Sequence, residues 1–326
     1  MRQVLITVLL LSLLDAHECE SVAPKRADIT VIDATPEFWQ FWDANSQKPD
    51  GERVQAFFDT VVGGRPDLFG GGVLGSGSLT NRSTDPAVRK RVATYLHEVA
   101  PLIPRMRRLS KTIGSFRHYA QEFGISFPDY APTTPVYFTV SLFAFDAGVR
   151  FAGGEAAVFF SIDGIARYDG PDADFKIIID HELFHQYRTQ IAPESSDHSE
   201  ALWAYLWEEG LATFVSQQLN PGSNAAQVLM VPPNLSELAS PMLPALAREL
   251  LANLDSKDAN EFAAFFAFDN HRPDLPLRSG YYVGYRIAKK LSSGRSLQEL
   301  AALRGPELKA AIQHALTEFS RSHSPS

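Results

Sequence analysis

The sequence predicts an α+β protein: a small, mostly antiparallel sheet followed by a helical half and preceded by a mainly helical N-terminal region. Three observations carry this. Apolar residues recur at helical spacing through much of residues 35–130, and again beyond Phe175. Between these stretches, from Pro132, the chain turns β-branched and aromatic. Strands set before a run of helices, rather than alternating with them, belong to α+β architectures. The expected division is residues 1–23 as a leader, 24–130 as the helical N-terminal region and 131–326 as the region that carries the chemistry.

The leader is read from Met1-Arg2, a positive start, and from Val4 to Leu14, apolar apart from Thr7 and Ser12 and closed by Asp15. Eleven residues are too few to span a bilayer as a helix, so a cleaved secretory signal is favoured over an anchor, and export to the periplasm or medium is expected with no stable membrane span afterwards. Ala16 and Ala23 both offer a small residue near a cleavage point. The competing reading is a buried N-terminal strand or helix. Cys19 is the only cysteine, so no internal disulfide can form. A lipid on Cys19 is disfavoured by Glu18, which stands where a small residue is expected.

In the N-terminal region, Thr35-Pro36-Glu37 reads as a helix start, with a capping hydroxyl, a proline at the first helical position and an acid near the positive end of the dipole. Phe38, Phe41 and Trp42 follow at helical spacing. The glycines from Gly63 to Gly77 read as loop, and no Gly-Lys-Ser or Gly-Lys-Thr accompanies them, so no nucleotide site is expected. A helix is expected from Asp85 to about Ala100 and another before Gly124. Pro135 to Phe143 and Ala156 to Ile162 read as strands, with Gly153-Gly154 as the turn signal.

The chain has 326 residues, 45% hydrophobic and 21% charged, a composition that excludes disorder. Its formal net charge of -8 and lack of a clustered basic face argue against nucleic acid as a partner. The short runs Arg105-Met106-Arg107-Arg108 and Lys289-Lys290 read as solvated helix faces.

The chemistry concentrates in Ile178-Ile179-Asp180-His181-Glu182-Leu183-Phe184-His185, which contains His-Glu-x-x-His. On a helix, positions i and i+4 share a face, so His181 and His185 can address one metal from adjacent turns. Glu182 is offset by about 100° around the axis, where a carboxylate can reach a water at the metal without binding the metal itself. The competing reading is a pair of hydrogen-bonded histidines on a half-buried helix. Catalytic zinc takes three protein ligands. A third histidine six residues on is ruled out, because position 191 is Ile191. Trp207-Glu208-Glu209-Gly210-Leu211-Ala212, on a second helix expected to start near His198, offers Glu209, and Glu208 and Asp197 are rivals.

These two motifs resemble the gluzincins, zinc peptidases with His-Glu-x-x-His on one helix and Glu-Gly-hydrophobic-Ala on the next, and most closely the bacterial zinc-dependent proteases with the Glu-Gly-Leu-Ala form. The resemblance spans roughly residues 135–290. It implies a zincin-like fold, one zinc per chain on His181, His185 and Glu209, Glu182 as the base, and a peptide or protein as substrate. Gly210 would let the two motif helices approach. The Gly-x-Met-Glu-Asn motif of the aminopeptidase branch is absent; only Gly153-Gly154-Glu155-Ala156 stands in a similar place.

A donor for the developing oxyanion is expected from Arg278 to Arg286, a segment with three tyrosines, where Tyr282 is the choice and Tyr281 and Tyr285 are rivals. The strand Ala156 to Ile162 is expected to offer a sheet edge to an extended peptide. Two other functions fit the same residues: a non-catalytic zincin-fold binding module, and a metallohydrolase acting on a non-peptide amide. His97, His118 and His314 have no partner pattern; His198 and His271 are held in reserve because they lie near the two functional segments.

Overall fold

A computed structural model of the chain describes residues 29–169, 174–193, 201–268 and 272–322. The apolar run Val4 to Leu14, Cys19, Asp197, His198 and His271 lie outside them. The α+β class holds. Helices α1 (Pro36–Asn45), α2 (Asp50–Phe57), α3 (Gly71–Leu74), α4 (Pro86–Val99), α5 (Ile103–Thr112) and α6 (Phe116–Ser126) precede most of the sheet. Asp85 caps α4 by accepting from the Ala87 and Val88 N–H groups. Thr35, expected to cap α1, makes no such bond; its own N–H donates to Asp33 Oδ1 at 2.9 Å. The helix expected to stop before Gly124 runs through it to Ser126.

The sheet has four strands in the order β1 (Val31–Asp33), β2 (Val136–Thr139), β4 (Glu155–Ser161), β3 (Ala147–Ala152). Here the structure corrects the sequence reading. Pairs β1–β2 and β2–β4 are parallel, and only β3–β4 is antiparallel. The Gly153-Gly154 turn, with φ of +59° and +91°, joins β4 not to the Pro135 run but to Ala147–Ala152. The loop after β2 therefore crosses the end of β4 before the chain doubles back. Asp163 fixes that crossing, accepting from the Ser141 N–H at 2.8 Å and the Phe143 N–H at 3.0 Å, and the two residues Leu142 and Phe143 have positive φ. With β2 on one side and β3 on the other, β4 is not an edge, so the edge expected there for a peptide belongs to β3.

The continuous run Ala157 to Phe160 is buried, as suits a strand covered on both faces. Phe138 and Phe160 stack across β2 and β4 at 5.3 Å, with Phe116 of α6 and Phe175 packed edge-on against them. That seam ties the N-terminal helices and the sheet to α8 (Phe175–Ile191), which carries the histidine motif. The rest of the described chain is helical: α7 (Ile162–Tyr168) before the motif, then α9 (Leu202–Leu219), α10 (Ala225–Leu229), α11 (Leu235–Ala252), α12 (Ala259–Phe266), α13 (Ser279–Leu291), α14 (Leu297–Ala302) and α15 (Gly305–Arg321). No helix among the described residues is long and apolar enough to cross a membrane.

Candidate metal centre

Asp174 starts α8 by accepting the Lys176 N–H at 2.9 Å. Ile178, Ile179, Leu183, Phe184 and Tyr187 bury the helix almost all round. A helix packed this way holds its side chains in fixed rotamers, so the i, i+4 pair is aimed rather than mobile. His181 is 5% exposed, and its Nε2 lies 3.0 Å from His185 Nε2. From α9, Glu209 brings Oε2 to 3.3 Å from His181 Nε2 and 3.6 Å from His185 Nε2.

Those three separations test the fit of a metal. Ligands about 2.0–2.2 Å from a tetrahedral zinc stand ~3.3–3.6 Å from one another. The triad meets that spacing to within a few tenths of an ångström, and an N2O donor set suits zinc. His181 Nδ1, also buried, has no hydrogen-bond partner among the described residues, so packing rather than an outer hydrogen bond orients that ring.

The triad lines one wall of a cleft of about 630 Å³. Glu182 shares the cleft and stands outside the triad, as its helical offset requires. Burial pushes its carboxyl up to about 7, and Glu209 and Asp146 nearby add to the rise against the pull of His185. Burial also pushes Glu209 up, but His185 and His181 outweigh it and hold the group well below the usual carboxylate range. Burial lowers the His185 imidazole, yet Glu209 outweighs that and raises it to about 9.

The other expected residues divide. Glu208, a rival ligand and expected solvent charge, is neither: its Oε1 accepts from Arg188 Nε at 2.8 Å. Gly210 does not serve the approach of α9 to α8; it faces Gly284 of α13. Tyr282 is not brought to the site. Its hydroxyl accepts from Arg286 Nη1 at 2.6 Å, and that guanidinium lies near Phe319 of α15. Tyr285 donates to Gln217 at 2.6 Å, also away from the cleft. One step round α13, Tyr281 lines the cleft together with Arg278. One residue is a rotation of about 100° on a helix, enough to move a ring from the cleft to the opposite packing face. Burial, followed by the charge of Glu209, keeps the Tyr281 phenol far above its ordinary range and so protonated. His97, His118 and His314 sit beside carboxylates on the surface.

Two groups escaped the sequence reading. Arg188 follows His185 on the same face of α8 and, 2% exposed, also donates through Nη1 to the carbonyls of Ala301 at 2.7 Å and Leu303 at 3.1 Å. Arg278 caps α13 from a left-handed conformation, φ 57°. The i+7 spacing from His181 to Arg188 could have signalled the first; nothing in the sequence signals the second.

The family comparison agrees with this chemistry. Residues 90–305, which include every residue of the triad as well as Glu182, Arg278 and Tyr281, match the model of a family described as "Putative zinc dependent peptidase". No curated protein and no solved structure matches the chain. The match spans well over half of the sequence, and the chain belongs to this family, DUF5700.

Proposed function

We propose that the protein is a gluzincin-type peptidase that hydrolyses peptide bonds in exported or extracellular substrates. The observation that carries this is the convergence of His181, His185 and Glu209 at zinc spacing while a further acid, Glu182, lies outside the triad in the same cleft. A binding module needs the first arrangement but not the second.

Zinc held by the triad supplies Lewis acidity and lowers the pKa of water towards neutrality. The chain does the rest. Glu182 takes the proton of the attacking water as its oxygen bonds to the carbonyl carbon, then delivers that proton to the amine as the C–N bond breaks. Burial, which raises this carboxyl, favours its holding the proton between the two transfers. The Tyr281 phenol donates to the carbonyl oxygen as charge gathers there. Ala147, Gly148 and Val149 of the edge strand β3 line the cleft, so an extended substrate can complete their free backbone groups as an added strand. Gly72 of α3 lies against the Phe151 backbone, which confines that pairing to the cleft end of β3.

The test is metal content and cleavage of a peptide library by wild type, Glu209→Ala and Glu182→Gln. One zinc per wild-type chain, lost in Glu209→Ala, with cleavage lost but zinc kept in Glu182→Gln, supports the reading. A Glu182→Gln protein that retains full biological function sinks it in favour of a binding module.

A further inference from the structure

Across the cleft from β3, Arg278 is built unlike a structural arginine. It is 5% exposed, and its guanidinium carbon stands 4.0 Å from the Tyr281 ring centroid and 4.5 Å from that of Phe268. Phe268 in turn stacks on Tyr168 at 4.7 Å. The guanidinium thus packs among aromatic rings while Arg278 lines the cleft. Nε and Nη1 have no hydrogen-bond partner among the described residues. A buried cation with unmet donors is costly unless something supplies acceptors.

Two further features give the sign of the missing partner. Arg278 sits at the N-terminus of the 13-residue helix α13, where the helix dipole also favours negative charge. Asp169, 4% exposed and on the same cleft, has an unpartnered Oδ2. Its backbone carbonyl is pinned by Arg105 Nη1 at 2.8 Å. Burial, with Asp146 adding to it, raises the Asp169 carboxyl well above the usual range against the pull of Arg278 and Arg105. Asp146 itself accepts the Ala147 N–H at 2.7 Å.

We propose that Arg278, with Asp169 beside it, is the substrate-specificity site of the cleft and binds a carboxylate of the peptide, either its C-terminal group or an Asp or Glu side chain. This rests on the peptidase reading for the identity of the ligand, but the anion site stands on its own geometry. An Arg–carboxylate contact in a buried site is strong and directional, whereas an uncharged amide in its place offers the guanidinium only a neutral acceptor.

The experiment uses the full chain with Glu182→Gln, so that peptides bind without being cut, and is run both zinc-loaded and chelator-treated. Three pools of fluorescein-tagged hexapeptides are compared by anisotropy: free C-terminus without acidic residues, the same pool amidated, and an amidated pool with one interior Glu. The expected result is binding about tenfold or more tighter for a carboxylate pool than for the neutral amidated pool, with and without zinc. Preference for the first pool identifies the terminus as the source; preference for the third identifies the side chain. Adding Arg278→Gln should erase the difference.

Equal binding of all pools, no binding of any pool, a preference that vanishes with the zinc, or a preference that survives Arg278→Gln overturns the proposal. Should Arg278→Gln not fold, judged by circular dichroism, the pool comparison in the chelator-treated Arg278 protein decides alone. If wild type cuts none of the peptides while the carboxylate preference stands, the peptidase reading has failed and the anion site has not.

Discussion

Gly210 and Gly284 meet backbone to backbone. A Cβ on Gly210 would stand 2.1 Å from the Gly284 carbonyl carbon, and one on Gly284 would stand 2.2 Å from the Leu206 carbonyl oxygen. Neither neighbour is a flexible side chain that could swing aside. Because Glu209 is next to Gly210, the crossing of α9 and α13 sets how far the third ligand reaches toward the histidines, and it brings Tyr281 to the cleft.

Gly210→Ala should therefore push α9 off α13. The expected cost is about 1–3 kcal/mol of stability from overpacking. Zinc affinity should fall by about 10–100-fold, the range for disturbing the support of a ligand. Urea melts and chelator competition read the two effects. Unchanged affinity in a folded variant would mean that Glu209 is positioned by something other than this crossing.

Zinc uptake should release a proton. Glu209 raises His185 to about 9, so below that pH the chelator-treated protein carries an imidazolium that zinc must displace. Glu182 is already ionised above about 7, and His181 is lowered by its burial, so neither contributes at about pH 8. Affinity should then rise with pH up to about 9 and level off. Calorimetry in buffers of different ionisation enthalpy should give at least one proton released at about pH 8, the one from His185, with ionisation of the water at the metal adding to it. Zero release there would contradict the charge assignment in the triad.

The grouping of residues at the candidate metal centre was legible in the sequence because its geometry is local. His181, Glu182 and His185 follow from one helical turn, and Glu209 from a second motif with the same logic. What the sequence did not show depends on the packing of separate elements. The Ala147–Ala152 strand carries three small residues and a charge, so only its pairing with β4 marks it as a strand. Parallel or antiparallel order is a property of the Val140–Asp146 crossing, which Asp163 holds from another element. The choice between Tyr281 and Tyr282 is a matter of how α13 is rotated, and that is fixed by the Gly210–Gly284 contact, remote in sequence. Arg278 gave no sequence signal at all, since a lone arginine before a helix is ordinary on any surface.

Arg188 should matter more to stability than its ion-pair partner. Arg188→Met removes donors from Glu208, from the Ala301 carbonyl and from the Leu303 carbonyl together, in a site with almost no access to water. A loss of about 3–5 kcal/mol is expected for breaking a buried charge network from its inner end. Glu208 is partly open to the cleft, so Glu208→Gln should cost about 1 kcal/mol or less. Denaturant melts of both variants decide it; equal costs would show that the carbonyl contacts to α14 contribute nothing.

The two adjacent tyrosines should separate cleanly in kinetics. Tyr281→Phe removes one of the two phenols that line the cleft, the other being Tyr205, and should lower kcat by about 10²–10³-fold, the usual effect of deleting an oxyanion donor, with KM little changed because the contact strengthens only as charge develops. Its phenol stays protonated far above neutrality, so the alkaline limb of the pH profile should be the same in wild type and variant. Tyr282 holds Arg286 on the far side of α13, so Tyr282→Phe should leave kcat within about twofold and act, if at all, on stability through one lost hydrogen bond of about 1 kcal/mol. The opposite ranking of the two variants would mean that α13 is rotated by one position relative to this structure, which would also carry Arg278 out of the cleft.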